Sequence, residues 1–138
     1  MELSDKVKNL LGSHERTNVL ATSDADGRVN VGVYGSVMLD GDQGLMMMLG
    51  DNRACENLKA NPYAAVVIIP HGKAGMELAD AGARIYLKVA SIQDSGERFD
   101  EVWQGLKARI GNAANMLKHL VLFEVTEARP ILDLGQGV

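Results

Sequence analysis

The spacing of apolar residues predicts a chain that is mostly β-strand. Val29, Val31 and Val33 alternate with polar or small residues, which is the two-residue period of a strand. The dipeptide Asp26-Gly27 just before them is a typical hairpin turn, and the run 64–69 is apolar on both faces, as in a central strand. On this basis we predict strands at 17–23, 29–34, 45–49, 64–69, 83–92 and 120–127, with a short extra strand at 131–134.

Three segments carry the spacing of an amphipathic helix instead. The clearest one has apolar residues on a single face at Phe99, Val102, Trp103, Leu106 and Ile110. Another segment, with three glycines and no clear period, is predicted to be a loop. The predicted helices are 4–11, 53–60 and 96–110, with further helical turns at 112–119 and the loop at 71–82.

The order of these elements favours an antiparallel architecture. The first three strands are joined by short turns, which predicts a meander and argues against a doubly wound parallel sheet. Six strands with few helices in 138 residues favour a small closed barrel whose ends are covered by helices. The expected fold class is therefore mainly β with flanking helices, in a single domain over residues 1–138.

Composition and charge restrict the classes of function. A net charge of −4 argues against a dedicated nucleic-acid binder. No apolar run reaches the roughly 18 residues of a membrane span, and the first residues do not resemble a signal peptide. The single cysteine, Cys55, excludes an intrachain disulfide. A cytoplasmic protein without nucleic-acid or membrane partners is the simplest expectation.

Residues 45–62 carry the most informative pattern for chemistry. A strand ends at Gly50 and a helix begins within two residues, so free backbone N–H groups at the helix start could hold a phosphate. Arg53 in the first turn can add a charge-assisted hydrogen bond. Asp51 would repel a phosphate unless its side chain points away. The alternative is an ordinary capped surface helix with Arg53 in solvent.

A second pattern surrounds Tyr34, which lies between Gly32 and Gly35 in a predicted strand. Glycine inside a strand often marks a bend or the close approach of a flat ligand, and the tyrosine ring could stack on an aromatic group. The alternative is a corner of the barrel at which glycine relieves crowding.

No pattern indicates a catalytic side chain or a metal site. His14, His71 and His119 lie in different elements without metal-ligand spacing, so each is expected to be a surface or otherwise satisfied histidine. Cys55 lies inside the short helix and is expected to be a buried, inert thiol. No nucleophile or phosphate-loop signature is present.

Residues 17–69 resemble the flavin-binding split β-barrels of the pyridoxamine 5′-phosphate oxidase-like superfamily. The resemblance rests on the strand-hairpin-strand opening, the strand 45–49, and the stretch LGDNRACENLKANP followed by AAVVII. In the family, a helix bearing N-L-x-x-N-P follows the phosphate-binding turn, and Asn57-Leu58 and Asn61-Pro62 match it. In length and layout the chain is similar to the small bacterial FMN-binding proteins of this superfamily.

The resemblance implies a six-stranded antiparallel split β-barrel that forms a homodimer with one FMN per subunit near the interface. The partner subunit would cover one face of the flavin through helix 96–110 or the residues after Gly111. The cofactor-binding residues that it implies are Val31, Gly32, Val33 and Tyr34 along the isoalloxazine, and Gly50, Asn52, Arg53 and Ala54 at the phosphate.

Two classes of function are compatible with these residues. The first is a flavin-binding redox protein, either an electron-transfer protein or an oxidoreductase, with an unknown substrate. The second is a cofactor-free split-barrel module for binding or oligomerisation, which Asp51 and Ala54 in the turn favour. Relatives that use deazaflavin or haem also exist. The basic substrate-binding end of true pyridoxamine phosphate oxidases is missing, because the stretch 127–131 has one arginine, so that activity is not expected.

Overall fold

Seven antiparallel strands form one sheet in the computed structural model, which describes residues 1–135. The strands are β1 (Arg16–Ser23), β2 (Val29–Val33), β3 (Met38–Asp40), β4 (Gly44–Leu49), β5 (Tyr63–Pro70), β6 (Ala83–Gln93) and β7 (His119–Arg129). Their order across the sheet is β2-β1-β5-β6-β7-β4-β3. The antiparallel pairing is confirmed, and β5 lies between two other strands, as its doubly apolar pattern predicts.

Four α-helices and one 3₁₀ helix flank the sheet. They are α1 (Asp5–Gly12), α2 (Arg53–Ala60), α3 (Gly75–Ala81) and α4 (Glu97–Ile110), with the 3₁₀ helix at Gly111–Met116. The three predicted helices are confirmed, as are the helical turns after α4. No helix within residues 1–135 is long and apolar enough to cross a membrane.

The predicted meander of three strands is wrong. The short strand β3 was not predicted, because three residues do not show a period, and β2 and β3 lie at opposite edges of the sheet. The chain passes from one edge to the other within a few residues. The Tyr34 N–H donates to the Asn18 carbonyl on β1 at 3.0 Å, whereas the Ser36 hydroxyl bonds to both backbone groups of Met48 on β4. The two sides of the sheet therefore approach each other at this point, as in a barrel.

Two further predictions are wrong. The segment predicted as a loop contains α3, which has no buried residue and therefore no apolar period to detect. An ion pair between Lys73 and Glu77, at 2.8 Å, links its first turn to the residues before it. The extra strand at 131–134 is absent. Pro130 lacks the N–H that would extend the β7 ladder, and Asp133 is bound instead to Arg84 at 2.9 Å.

Two apolar clusters lie on opposite faces of the sheet. The larger one fills the barrel and includes Phe123 and Met47, while α1 and α2 contribute to its edges. The smaller one joins Met48 on the other face to Leu106 of α4. Successive side chains of a strand point to opposite faces, so the methionine run of β4 connects both clusters. This packing places the start of α2 at the end of β4, where the last three residues are all buried.

Candidate functional site

The start of α2 presents backbone donors that the helix itself cannot satisfy. Asn52 caps the helix, and its side-chain oxygen accepts a hydrogen bond from the Cys55 N–H at 2.9 Å. The N–H groups of Arg53 and Ala54 have no intrahelical acceptor, since the first intrahelical bond runs from the Glu56 N–H to the Asn52 carbonyl. Neither N–H contacts an acceptor elsewhere in residues 1–135. Two donors and the positive end of the helix dipole therefore meet at this point.

The Arg53 side chain is exposed and makes no hydrogen bond or ion pair with any other residue in the described part of the chain. In contrast, the nearby Lys59 of the same helix is paired with Glu56 at 3.3 Å. The guanidinium is therefore an uncompensated charge beside the two free N–H groups, as a phosphate-binding turn requires.

The Asp51 carboxylate is held by a histidine. Its Oδ1 lies 2.6 Å from Nε2 of His119, and the Nδ1 of the same ring lies 2.5 Å from Oδ1 of Asp94. His119 is only 8% exposed, whereas both carboxylates are largely in solvent. The negative charge that would repel an anion at the turn is therefore paired with a group that can carry a positive charge.

These contacts shift the pKa values of the histidine and of one carboxylate. The hydrogen bond with His119 holds the pKa of Asp51 below its usual range. Burial alone would lower the pKa of His119, but the hydrogen bonds with Asp94 and then Asp51 outweigh it, so that its pKa lies above the ordinary value. The imidazolium is thus favoured between the two carboxylates.

The stability of the chain should depend on pH through this cluster. Because the folded pKa of His119 is raised, its contribution is fully present below about pH 6.5 and is lost as the pH rises through the folded value. The depressed pKa of Asp51 means that its contribution is present above about pH 3.9 and disappears as the pH falls through the folded value. We expect His119→Gln to lower the free energy of unfolding more at about pH 5.5 than at about pH 8.5.

Urea unfolding of both chains at the two pH values measures this difference. His71→Gln is the matched control, since His71 is exposed and its ring hydrogen-bonds the Thr17 hydroxyl, at 2.9 Å, instead of a carboxylate. Equal losses for His119→Gln at both pH values would show that the cluster is not charged in the folded state.

Gly50 is required by packing as well as by any ligand. A Cβ at this position would lie 2.7 Å from the carbonyl oxygen of Met116 in the 3₁₀ helix, which is closer than real Cβ contacts. The group that approaches Gly50 closely is thus the chain's own backbone. The glycine lets the 3₁₀ helix pack directly against the turn that precedes α2.

The residues predicted along the isoalloxazine lie on both faces of the edge strand β2. Val31 and Val33 point outwards and are 64% and 69% exposed. Gly32 and Tyr34 point to the other face, where the tyrosine ring covers the glycine: a Cβ on Gly32 would lie 3.0 Å from the ring. Burial raises the pKa of Tyr34. The space over Gly32 on that face is therefore occupied by the ring of Tyr34.

The structure brings β2 and α2 to the same side of the molecule. Helix α2 packs against β1 and β2, and the Asn57 side chain donates to the Thr22 hydroxyl on β1 at 3.1 Å. A cavity of about 290 Å³ opens beside the end of β2. Its lining includes Val33, Tyr34, Ser36, Met48, Leu106 and Ile110.

Neither a metal centre nor an activated thiol is present in residues 1–135. No three His, Cys, Asp or Glu side chains in this range could hold a metal ion. Cys55 is buried, as expected, and burial raises the pKa of its thiol. The cluster around His119 was not predicted as a unit, because its members are 25 and 68 residues apart in the sequence.

Comparison with known families gives one match over nearly the whole chain. The family described as "Pyridoxamine 5'-phosphate oxidase" matches residues 3–131. The comparison with curated proteins yields no match.

Solved structures share the fold. An FMN-binding protein from Syntrophomonas wolfei subsp. wolfei has a TM-score of 0.76 and 21% identity, covering 93% of this chain and 85% of that one. The haem storage protein HutZ from Vibrio cholerae has a TM-score of 0.64 and 22% identity, covering 94% and 95%. An F420 reductase has a TM-score of 0.67 and 19% identity, covering 88% and 94%. The predicted split barrel is confirmed, with seven strands instead of six.

Proposed function

Because the chain belongs to the pyridoxamine 5′-phosphate oxidase family, we propose that it is a homodimeric FMN-binding protein that takes part in redox chemistry. The observation that carries this proposal is the start of α2, where the free N–H groups of Arg53 and Ala54 meet the unpaired Arg53 guanidinium. The bound flavin would supply the electron chemistry, while the chain supplies position and electrostatics. The substrate stays unknown, and a cytoplasmic location without nucleic-acid or membrane partners stays a prediction.

The phosphate would be held by the turn between β4 and α2. Arg53 and the Ala54 N–H provide donors, Asn52 caps the helix, and Gly50 shapes the turn. The pairing of Asp51 with His119 supports this assignment, since it reduces the repulsion that the carboxylate would otherwise exert on an anion. No side chain in this turn is assigned as a catalytic acid or base.

The isoalloxazine would lie along Val31, Gly32, Val33 and Tyr34. Strand β2 is at the edge of the sheet, so the backbone N–H and C=O groups on its outer side are not used by a neighbouring strand. Such groups match the nitrogen- and oxygen-rich edge of a flavin ring. The exposed valines of the same strand offer apolar contact to the ring or to a partner subunit.

A second copy of the chain is the proposed partner for the outer face of the sheet. In register, Val33 on β2, Val19 on β1 and Val67 on β5 form one apolar row across three strands. Val29 extends the exposed stripe of β2. Monomeric proteins rarely expose contiguous apolar patches of this kind, and a self-complementary patch is typical of two-fold dimers.

We expect Val29→Glu to weaken the dimer by at least about tenfold, because the dimer would have to bury an unpaired charge. Val29 is 79% exposed in the single chain, so the substitution should not disturb the fold. Sedimentation velocity over a concentration series measures the dissociation constant. Asn9→Glu, which adds the same charge at an exposed position of α1, should leave it unchanged. A dimer that tolerates Val29→Glu would place the interface elsewhere.

The direct test of the proposed cofactor is the visible spectrum of the protein purified without added ligand, followed by titration with FMN. We expect flavin bands at about 370 and 450 nm, or their appearance as FMN is taken up. A colourless protein that takes up no FMN would overturn the proposal and favour the cofactor-free module.

Haem and deazaflavin are the competing ligands, because proteins that share the fold are a haem storage protein and an F420 reductase. Parallel titrations with haemin and with a deazaflavin compare the three affinities on one sample. Preferential uptake of haemin or of the deazaflavin would make that ligand the proposed cofactor instead of FMN. The fold would be unaffected, and the proposed anion-binding turn would still apply.

A further inference from the structure

A small basic pocket lies beside the turn that joins β2 to β3. It has a volume of about 150 Å³ and is bounded by the end of α1, by β3 and by the last turn of α4. Three side chains that can carry a positive charge line it: His14, Arg16 and Arg109. None of the residues assigned to the phosphate turn contributes to this pocket.

The two arginines of the pocket have no carboxylate partner in residues 1–135. Arg16 donates only to neutral oxygens, namely the backbone carbonyls of Leu11, Ser13 and Val37 and the side chain of Asn18. Arg109 contacts only the Nδ1 of His14, at 3.4 Å. In a chain with a net charge of −4, carboxylates are abundant. Elsewhere Arg84, Arg98 and Arg129 each pair with one.

The guanidinium of Arg16 is held in place before any ligand arrives. Its four hydrogen bonds leave one of the five N–H donors of an arginine unused. Burial, and next the charge of Arg109, lower the pKa of Arg16. Two cations thus face each other across a small space, and the first of them is fixed by the fold. Binding an anion there would cost little side-chain entropy at Arg16.

The pocket has an apolar cavity as its neighbour. The cavity of about 290 Å³ beside the end of β2 shares Gly35 and Arg109 with it. That cavity is lined by apolar side chains such as Met48, Leu106 and Leu117. Arg109 therefore stands between the Arg16 guanidinium and an apolar cavity. The arrangement matches a ligand that has an anionic group attached to an apolar body.

We propose that the basic pocket binds the carboxylate or phosphate group of a small ligand whose apolar part occupies the adjoining cavity. The ligand would lie beside Val33 and Tyr34. A role for this ligand as the substrate of a bound flavin rests on the proposed function. Binding of the anionic group to the basic pocket does not.

The experiment titrates the full chain with benzoate and phenyl phosphate, and with neutral benzyl alcohol, and follows backbone amide shifts by NMR. We expect one or both anions to bind more tightly than the alcohol, with shifts at Gly35 and around Arg109. Whichever of the two binds more tightly identifies carboxylate or phosphate as the preferred group.

Arg109→Gln should weaken binding of the preferred anion by about tenfold, through loss of a charge-assisted hydrogen bond. Arg98→Gln, which makes the same charge change at an exposed position of the same helix, is the control. Arg16 is left intact, because its guanidinium ties three backbone carbonyls together. The proposal is overturned if the anions bind no better than benzyl alcohol, or if the two variants lose affinity equally.

The outcome is separable from that of the FMN proposal. The backbone amide shifts separate the two sites, since Gly35 and Arg109 line the basic pocket whereas Arg53 lines neither cavity. A chain that takes up no FMN but binds these anions would retain the basic pocket as a site. A chain that binds FMN but neither anion would contradict the basic pocket and leave the FMN proposal intact.

Discussion

Replacing Arg53 with glutamate is expected to weaken FMN binding by about 100-fold, because hydrogen bonds to charged groups contribute roughly 1.5–3 kcal/mol and each 1.4 kcal/mol is tenfold. The substitution removes an exposed guanidinium without a partner in the described part of the chain and puts a carboxylate beside the free N–H groups of α2. Fluorescence titration of the apoprotein with FMN measures the dissociation constants.

The matched control for this prediction is Lys59→Glu, which makes the same charge change in the last turn of the same helix. Lys59 is paired with Glu56 and does not belong to the turn, so FMN affinity should change little. Circular dichroism of both variants checks that α2 is retained. Equal FMN affinities for Arg53→Glu and the unaltered chain would show that the FMN phosphate does not bind at this turn. They would support a barrel without a cofactor there.

Replacing Phe123 with alanine is expected to lower the free energy of unfolding by about 3–5 kcal/mol, as for other large buried aromatic residues. Phe123 is 2% exposed in the main core. In β7 it lies between Leu45 of β4 and Val89 of β6, so the truncation opens a cavity that rigid strands cannot close. Urea denaturation followed by circular dichroism measures the loss.

Tyr63→Ala is the control for the core prediction, since Tyr63 is 59% exposed on β5 and its ring contacts Lys88 over 5.8 Å. We expect it to cost less than about 1 kcal/mol. Comparable losses for the two substitutions would mean that the barrel interior is not the main source of stability.

Local patterns were sufficient for the elements that bury one face. The alternation in β6 and the helical spacing in α4 come from side chains that meet the core or the surface at a regular period, so each was predicted near its true bounds. Helix α3 has no buried residue, and β3 has only three residues. Neither shows a period, and neither was predicted.

The candidate site, too, was predictable only where it depends on neighbours in the sequence. The turn before α2 was predicted from neighbours in the sequence, and the structure shows two free N–H groups and an unpaired Arg53 there. The pairing of the Asp51 carboxylate was not predictable, because its partner His119 lies 68 residues away. The same holds for Arg16 at the start of β1 and Arg109 in the last turn of α4, which line one pocket only in the folded chain.

The sequence by itself determined six of the seven described strands, three helices, the antiparallel class and the position of the turn before α2, since each depends on residues within a few positions of one another. The tertiary structure decided which strands are neighbours, which side chain neutralises Asp51, and where the unpaired arginines gather. Those properties depend on contacts between distant segments, and no local period or propensity encodes which distant segments will meet.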